Sequence, residues 1–203
     1  MQRYDSRTFL VVVDLQNDFA DPAGGLAVHG GANLVPIINS EIAMARSAGA
    51  SVVFTQDWHP ETTPHFAKDG GTWPVHCVAD TWGAELHPDV DSEAARDAPR
   101  VRKGANGEDG YSGFTMRDPQ TGETTPTELE TLIRAAGASR VVVCGLATDY
   151  CVKETALDAA RLGFETAVLL DAIRPVDLVR GDGERAIAAM TRAGVHAWSV
   201  RMR

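Results

Sequence analysis

The sequence predicts an α/β protein with a parallel sheet covered by helices on both faces. Three observations predict it. Short apolar runs rich in β-branched residues alternate with stretches of helical periodicity. The run Phe9-Leu10-Val11-Val12-Val13 contains no polar residue, as in a strand buried on both faces. Asp14, Asp57 and Cys151 fall at or just after the ends of such runs, where ligands bind in open parallel sheets.

In chain order, Thr8 to Val13 reads as the first strand. Asn33 can cap a helix with Leu34, Ile37, Ile38, Ile42 and Ala45 at helical spacing, ending at Gly49. Ser51 to Thr55 is a second strand. Thr125-Pro126-Thr127-Glu128 has the form of a capping box with proline at the first helical position, opening a helix to Gly137. Arg140 to Gly145 is a strand, Thr148 to Leu162 a helix and Glu165 to Leu170 another strand. Asp182 can cap a last helix with Ala186, Ile187 and Met190 inward, and Val195 to Val200 closes the sheet. Right-handed crossovers follow from the alternation. The 203 residues suit one domain, 1–203, with an irregular excursion around 57–125 broken only by a short strand near Arg100 to Arg102.

A net charge of −9 argues against nucleic acid, which needs a basic face, and against an anionic membrane surface. No apolar run approaches the roughly 20 residues of a membrane span. Cys77, Cys144 and Cys151 form an odd set without an export signal, so a reduced, cytoplasmic protein is expected rather than a disulfide scaffold. Cys77 and Cys144 read as packed thiols. Oligomeric state, monomer or homo-oligomer, is left open.

Cys151 is placed on the first turn of a helix, where unpaired N–H groups and the helix dipole favour an anion, so its pKa is expected to be lowered. Asp14 is either a cap or a general base. Lys103 is either a solvent-facing lysine or an ammonium aimed into the cleft. Asp57 and His59 lie two apart, so both point to one side of an extended segment. With His65 and His76 in an aromatic-rich stretch they suit a first-row metal, against the alternative that His59, His65 and His76 are scattered surface histidines. Phe19, Trp73 and Tyr111 come from separate loops that could sandwich a flat substrate, or simply pack. Packing is the expectation for Trp58 and Trp82.

Val-Asp-Leu-Gln-Asn-Asp-Phe (13–19), Thr-Gln-Asp-Trp-His-Pro (55–60), Trp-Pro-Val-His-Cys (73–77), Lys-Gly (103–104), Tyr-Ser-Gly-Phe (111–114) and Gly-Leu-Ala-Thr-Asp-Tyr-Cys-Val (145–152) occur in that order. In this combination the chain resembles the nicotinamidases of the isochorismatase-like cysteine hydrolase family. The resemblance implies a three-layer α/β/α fold on a six-stranded parallel sheet. It implies a triad of Asp14, Lys103 and Cys151, and a cis peptide between Leu146 and Ala147. An oxyanion hole from the N–H groups of Ala147 and Cys151 is implied as well. Asp57, His59 and His76, with His65 as a further candidate, would hold one divalent metal ion, zinc before iron or manganese. Phe19, Trp73 and Tyr111 match the ring-binding aromatics, with Leu146 and Tyr150 beside them. Tyr150 stands where some members have histidine. The implied activity is hydrolysis of the small molecule nicotinamide to nicotinate and ammonia. Rival readings are a same-fold hydrolase of another small amide and a non-catalytic binding module.

Overall fold

The computed structural model describes residues 3–199. Six strands, β1 (Thr8–Val13), β2 (Ser51–Asp57), β3 (Arg100–Lys103), β6 (Arg140–Leu146), β7 (Glu165–Arg174) and β8 (His196–Trp198), form one sheet in the order β3-β2-β1-β6-β7-β8. Every pairing in it is parallel. Between β3 and β6 a small antiparallel pair is inserted, β4 (Thr115–Arg117) with β5 (Thr124–Pro126).

The two-residue alternation of β1 divides its side chains between two cores. Leu10 and Val12 pack with helix α2 (Val35–Ser47), through Val35, Ile38 and Ile42, and with α3 (Ser92–Asp97) through Ala94. Phe9, Val11 and Val13 pack on the other face with α4 (Leu129–Ala135), α5 (Lys153–Arg161) and α6 (Asp182–Arg192), through Ile133, Ala156 and Met190. Each large aliphatic side chain buried this way contributes about 1.5–3 kcal/mol. A short helix, α1 (Asn17–Ala20), follows the end of β1.

Strand order reverses between β1 and β6, so the chain leaves these neighbours in opposite directions and a crevice opens beyond their carboxyl ends. Close approach there requires Gly145: it has φ +112°, it pairs with Val13, and any Cβ on it would collide with the Val13 carbonyl.

Several elements differ from the sequence reading. Asn33 lies inside a 3-10 turn, Ala32–Leu34, and caps nothing. Thr125 and Pro126 belong to β5, and the start of α4 is bonded by Thr127, whose Oγ1 accepts from the Leu129 N–H. β7 runs on to Arg174. The α6 cap is Gly181, while Asp182 accepts from the Val179 N–H and pairs with Arg185. Val200 lies outside the described residues. Trp58 packs in the core under the Arg102 guanidinium, but Trp82 is 52% exposed. Among the described residues, no helix is long and apolar enough to cross a membrane.

Candidate active site

Alternation along the strands aligns the chemistry on one face. Val53 and Val101 belong to the core beneath α4 and α5. Stepping by two, Thr55 and Asp57 on β2 and Lys103 on β3 point the same way, toward Cys151. Asp14 joins them because the chain turns at φ 46° as β1 ends. Thr55 Oγ1 donates to Asp14 Oδ1 at 2.6 Å.

Lys103 sits at the centre, 1% exposed. Its Nζ donates to Asp14 Oδ2 at 2.8 Å, meets Asp57 Oδ1 at 2.7 Å and lies 3.6 Å from Cys151 Sγ. Burial acts to lower its pKa, but the two carboxylates override this and hold it well above the usual lysine range, so the ammonium stays charged. Burial raises the Asp14 carboxyl, against the pull of Lys103. Burial would raise Asp57 too, yet Lys103, His59 and His76 bring it below the usual carboxylate range.

Cys151 is on a wide turn, Thr148–Val152, in which the Val152 N–H reaches back five residues to the Ala147 carbonyl at 3.1 Å. The peptide between Leu146 and Ala147 is cis. The expected lowering of the thiol pKa does not occur. Burial pushes it well above the usual value, Lys103 pulls it down, and Asp14 and Asp57 push it up again. Cys151 therefore rests as a neutral thiol near the carboxylates of Asp14 and Asp57. Cys77 and Cys144 are also free and buried.

The histidines are gathered by backbone bridges within the excursion. The His59 N–H donates to the Cys77 carbonyl at 2.9 Å, which brings His76 alongside. The Trp73 N–H donates to the His65 carbonyl at 3.3 Å. As a result, ligand atoms of His59, His65 and His76 lie within 4.8 Å of one another. Asp57 Oδ2 is 3.9 Å from Nε2 of both His59 and His76. His76 Nδ1 lies 2.7 Å from the Pro74 carbonyl, so it carries the proton and Nε2 keeps its lone pair for a cation. Both ring nitrogens of His59 are buried without a hydrogen-bond partner. Burial, with help from neighbouring His59, lowers the His65 pKa to about 4, leaving a neutral imidazole. Orphaned imidazole nitrogens beside a carboxylate fit a divalent metal.

Asp57, His65, His76, Leu146, Ala147 and Cys151 line one cleft. Phe19, Trp73, Tyr111 and Tyr150 line it too. Trp73 Nε1 donates to the Tyr111 hydroxyl at 3.1 Å, and Trp73 meets Tyr150 edge-on at 4.9 Å between centroids. All the residues expected to act thus come together at one place. Three buried partners escaped the sequence reading. Thr55 bonds Asp14, Gln16 bonds the backbone of Asp57, and Asp149 accepts from the N–H groups of Val176 and Asp177. Each lies inside a motif that carried the resemblance, which was the only signal for it.

A model of the isochorismatase domain matches residues 8–201. The nicotinamidase of Escherichia coli (strain K12) is 36% identical, over 94% of this chain and 94% of that protein. The crystal structure of the pyrazinamidase of Pyrococcus horikoshii in complex with zinc superposes with a TM-score of 0.83 at 38% identity, covering 95% of this chain and 99% of the other. PnC1 from L. infantum in complex with nicotinate superposes with a TM-score of 0.86 at 36% identity, covering 97% and 94%. The match spans the sheet and every loop around the cleft, and on that ground the chain belongs to the isochorismatase domain family.

Proposed function

We propose that this protein is a nicotinamidase, hydrolysing nicotinamide to nicotinate and ammonia through a thioester on Cys151, in the reducing cytoplasm where its free thiols persist. The observation that carries the reading is Lys103 Nζ at 2.8 Å from Asp14 and 3.6 Å from the Cys151 sulfur, all enclosed beside one cleft. The names of its relatives, nicotinamidase and pyrazinamidase, support the substrate class.

Asp14 takes the thiol proton as sulfur attacks the amide carbon. The N–H groups of Ala147 and Cys151 receive the negative charge that develops on oxygen, an effect typically worth ~3 kcal/mol per donor. Asp14 returns its proton to the nitrogen, the C–N bond breaks and ammonia leaves. A water then gives a proton to Asp14 and attacks the thioester. The C–S bond breaks, and the proton returns to sulfur as nicotinate forms. Lys103 keeps its charge and offsets the negative charge that moves between Asp14 and the sulfur. Phe19 and Trp73 hold the ring, with Tyr111, Tyr150 and Leu146 closing the pocket around it. Asp57, His59 and His76, with His65 as a fourth candidate, would hold zinc. The metal would act as a Lewis acid anchoring the pyridine nitrogen. Orientation of this kind can remove several kcal/mol from a barrier.

The test is ammonia release from nicotinamide by zinc-loaded protein, beside a chelated control and Cys151→Ala. Turnover should vanish in Cys151→Ala while the fold and metal content persist. A wild-type rate in that variant would refute the mechanism.

A further inference from the structure

Strands β1 and β2 pair only as far as Asp14, whose N–H donates to the Thr55 carbonyl at 3.2 Å. There β1 ends and the chain turns away. Alternation makes Asp57 the next residue of β2 to face β1 with its backbone groups. Asp57 is 6% exposed, and its N–H and C=O would be left without a rung. The side-chain amide of Gln16 supplies one. Its Oε1 accepts from the Asp57 N–H at 2.9 Å, and its Nε2 donates to the Asp57 carbonyl at 2.7 Å and to the Ala84 carbonyl at 2.8 Å. Gln16 is fully buried, so these bonds do not compete with bulk water.

We infer that Gln16 is a positioning residue: its amide takes the place of a peptide group, extends the sheet by one rung and fixes the Asp57 carboxylate where Lys103 and the histidines meet it. The inference rests on the metal reading above. Only an amide of this length satisfies the geometry. Glutamate lacks the donors, methionine lacks donor and acceptor, and asparagine is one methylene short. Asp57 has little tolerance for displacement, because one oxygen is 2.7 Å from Lys103 and the other is equidistant, at 3.9 Å, from two imidazole nitrogens. Residues that orient metal ligands from behind typically change metal affinity about 10–100-fold when lost.

Gln56 provides a matched control. It is equally buried and its Nε2 donates to the same Ala84 carbonyl at 2.9 Å, without touching the Asp57 backbone through its side chain. Zinc is titrated against a competing chelator into wild type, Gln16→Met, Gln16→Asn and Gln56→Met. The expected result is a zinc affinity about 10–100-fold weaker in Gln16→Met, not restored to the wild-type value in Gln16→Asn, and within about threefold of wild type in Gln56→Met. Wild type that binds no zinc would defeat the metal reading itself. Wild type that binds zinc, with Gln16→Met no weaker than Gln56→Met, would overturn the role of Gln16. If Gln16→Met does not fold, amide exchange of the wild type decides. An Asp57 N–H protected as strongly as that of Asp14 supports the rung, and a freely exchanging one refutes it.

Discussion

Replacing Lys103 with methionine tests the electrostatic logic of the chamber. The side chain is nearly isosteric, so the change removes charge with little change in packing. In the native protein one ammonium, 1% exposed, serves Asp14 at 2.8 Å and Asp57 at 2.7 Å. Removing one partner of a buried ion pair typically costs ~3–5 kcal/mol, because the charge left behind is neither solvated nor matched. For a chain of this size that is roughly 6–20 °C in melting temperature. The pH dependence has a definite sign. Asp14 already has a raised pKa, and Lys103 is its largest lowering influence. The same ammonium is the first cause holding Asp57 low against burial. Without it both carboxyls take up protons in the folded state at a pH where the unfolded chain releases them. Stability then falls as pH rises through the folded pKa values. Denaturant unfolding of wild type and Lys103→Met, at pH 8 and pH 5.5 with a chelator to keep cations from Asp57, measures this. The deficit should be large at pH 8 and narrower at pH 5.5. Equal midpoints at pH 8, or a deficit indifferent to pH, would refute the reasoning.

Thr55→Val removes the hydroxyl that donates to Asp14 at 2.6 Å and so favours the ionised carboxylate. The proposed mechanism needs Asp14 ionised to accept the thiol proton, so the acid limb of kcat/KM should move to higher pH, read from a pH–rate profile. Gly104 has φ +81°, and a Cβ there would stand 2.6 Å from His59 Nδ1. Gly104→Ala should therefore weaken zinc binding about tenfold or more, measured by competition with a chelator, and cost about 1 kcal/mol or more of stability. Tyr111→Phe leaves Trp73 Nε1 without its acceptor at 3.1 Å, a loss of about 1 kcal/mol; steady-state kinetics should show KM raised by a factor of a few with kcat retained.

Features of the fold with local signals were readable from the chain. An unbroken apolar run announces β1, and helical spacing of Leu34, Ile38 and Ile42 announces α2. Thr125-Pro126 misled because the capping-box pattern specifies neighbours in sequence, whereas the side chain that bonds the start of α4 is tied elsewhere. Thr127 Oγ1 donates to the Gly113 carbonyl at 2.6 Å while accepting from Leu129. Pro126 meanwhile pairs with Thr115 on β4. A tetrapeptide cannot encode which distant carbonyl will be waiting for it. The same holds for the end of β7, which is set by Leu146 pairing with Arg174 after a register shift that no periodicity reports.

The site divides along the same line, and Cys151 shows why. Its residue type and its place after a strand are local facts, enough to single it out. Its acidity is not local. A helix dipole is worth ~0.3–1 kcal/mol at an exposed terminus, whereas enclosing a thiolate beside carboxylates costs several kcal/mol per ion, so the chamber outweighs the turn. The carboxylates come from the ends of β1 and β2, far away in sequence, and burial is the largest influence on the thiol. In the proposed mechanism a thiol kept neutral in this way reacts only when something takes its proton. Asp14, itself raised by burial and bonded to Lys103 and Thr55, is the group placed to do so. Selectivity then comes from coupling: sulfur is activated as the amide carbon arrives within reach, rather than standing as an anion open to any electrophile that enters the cleft.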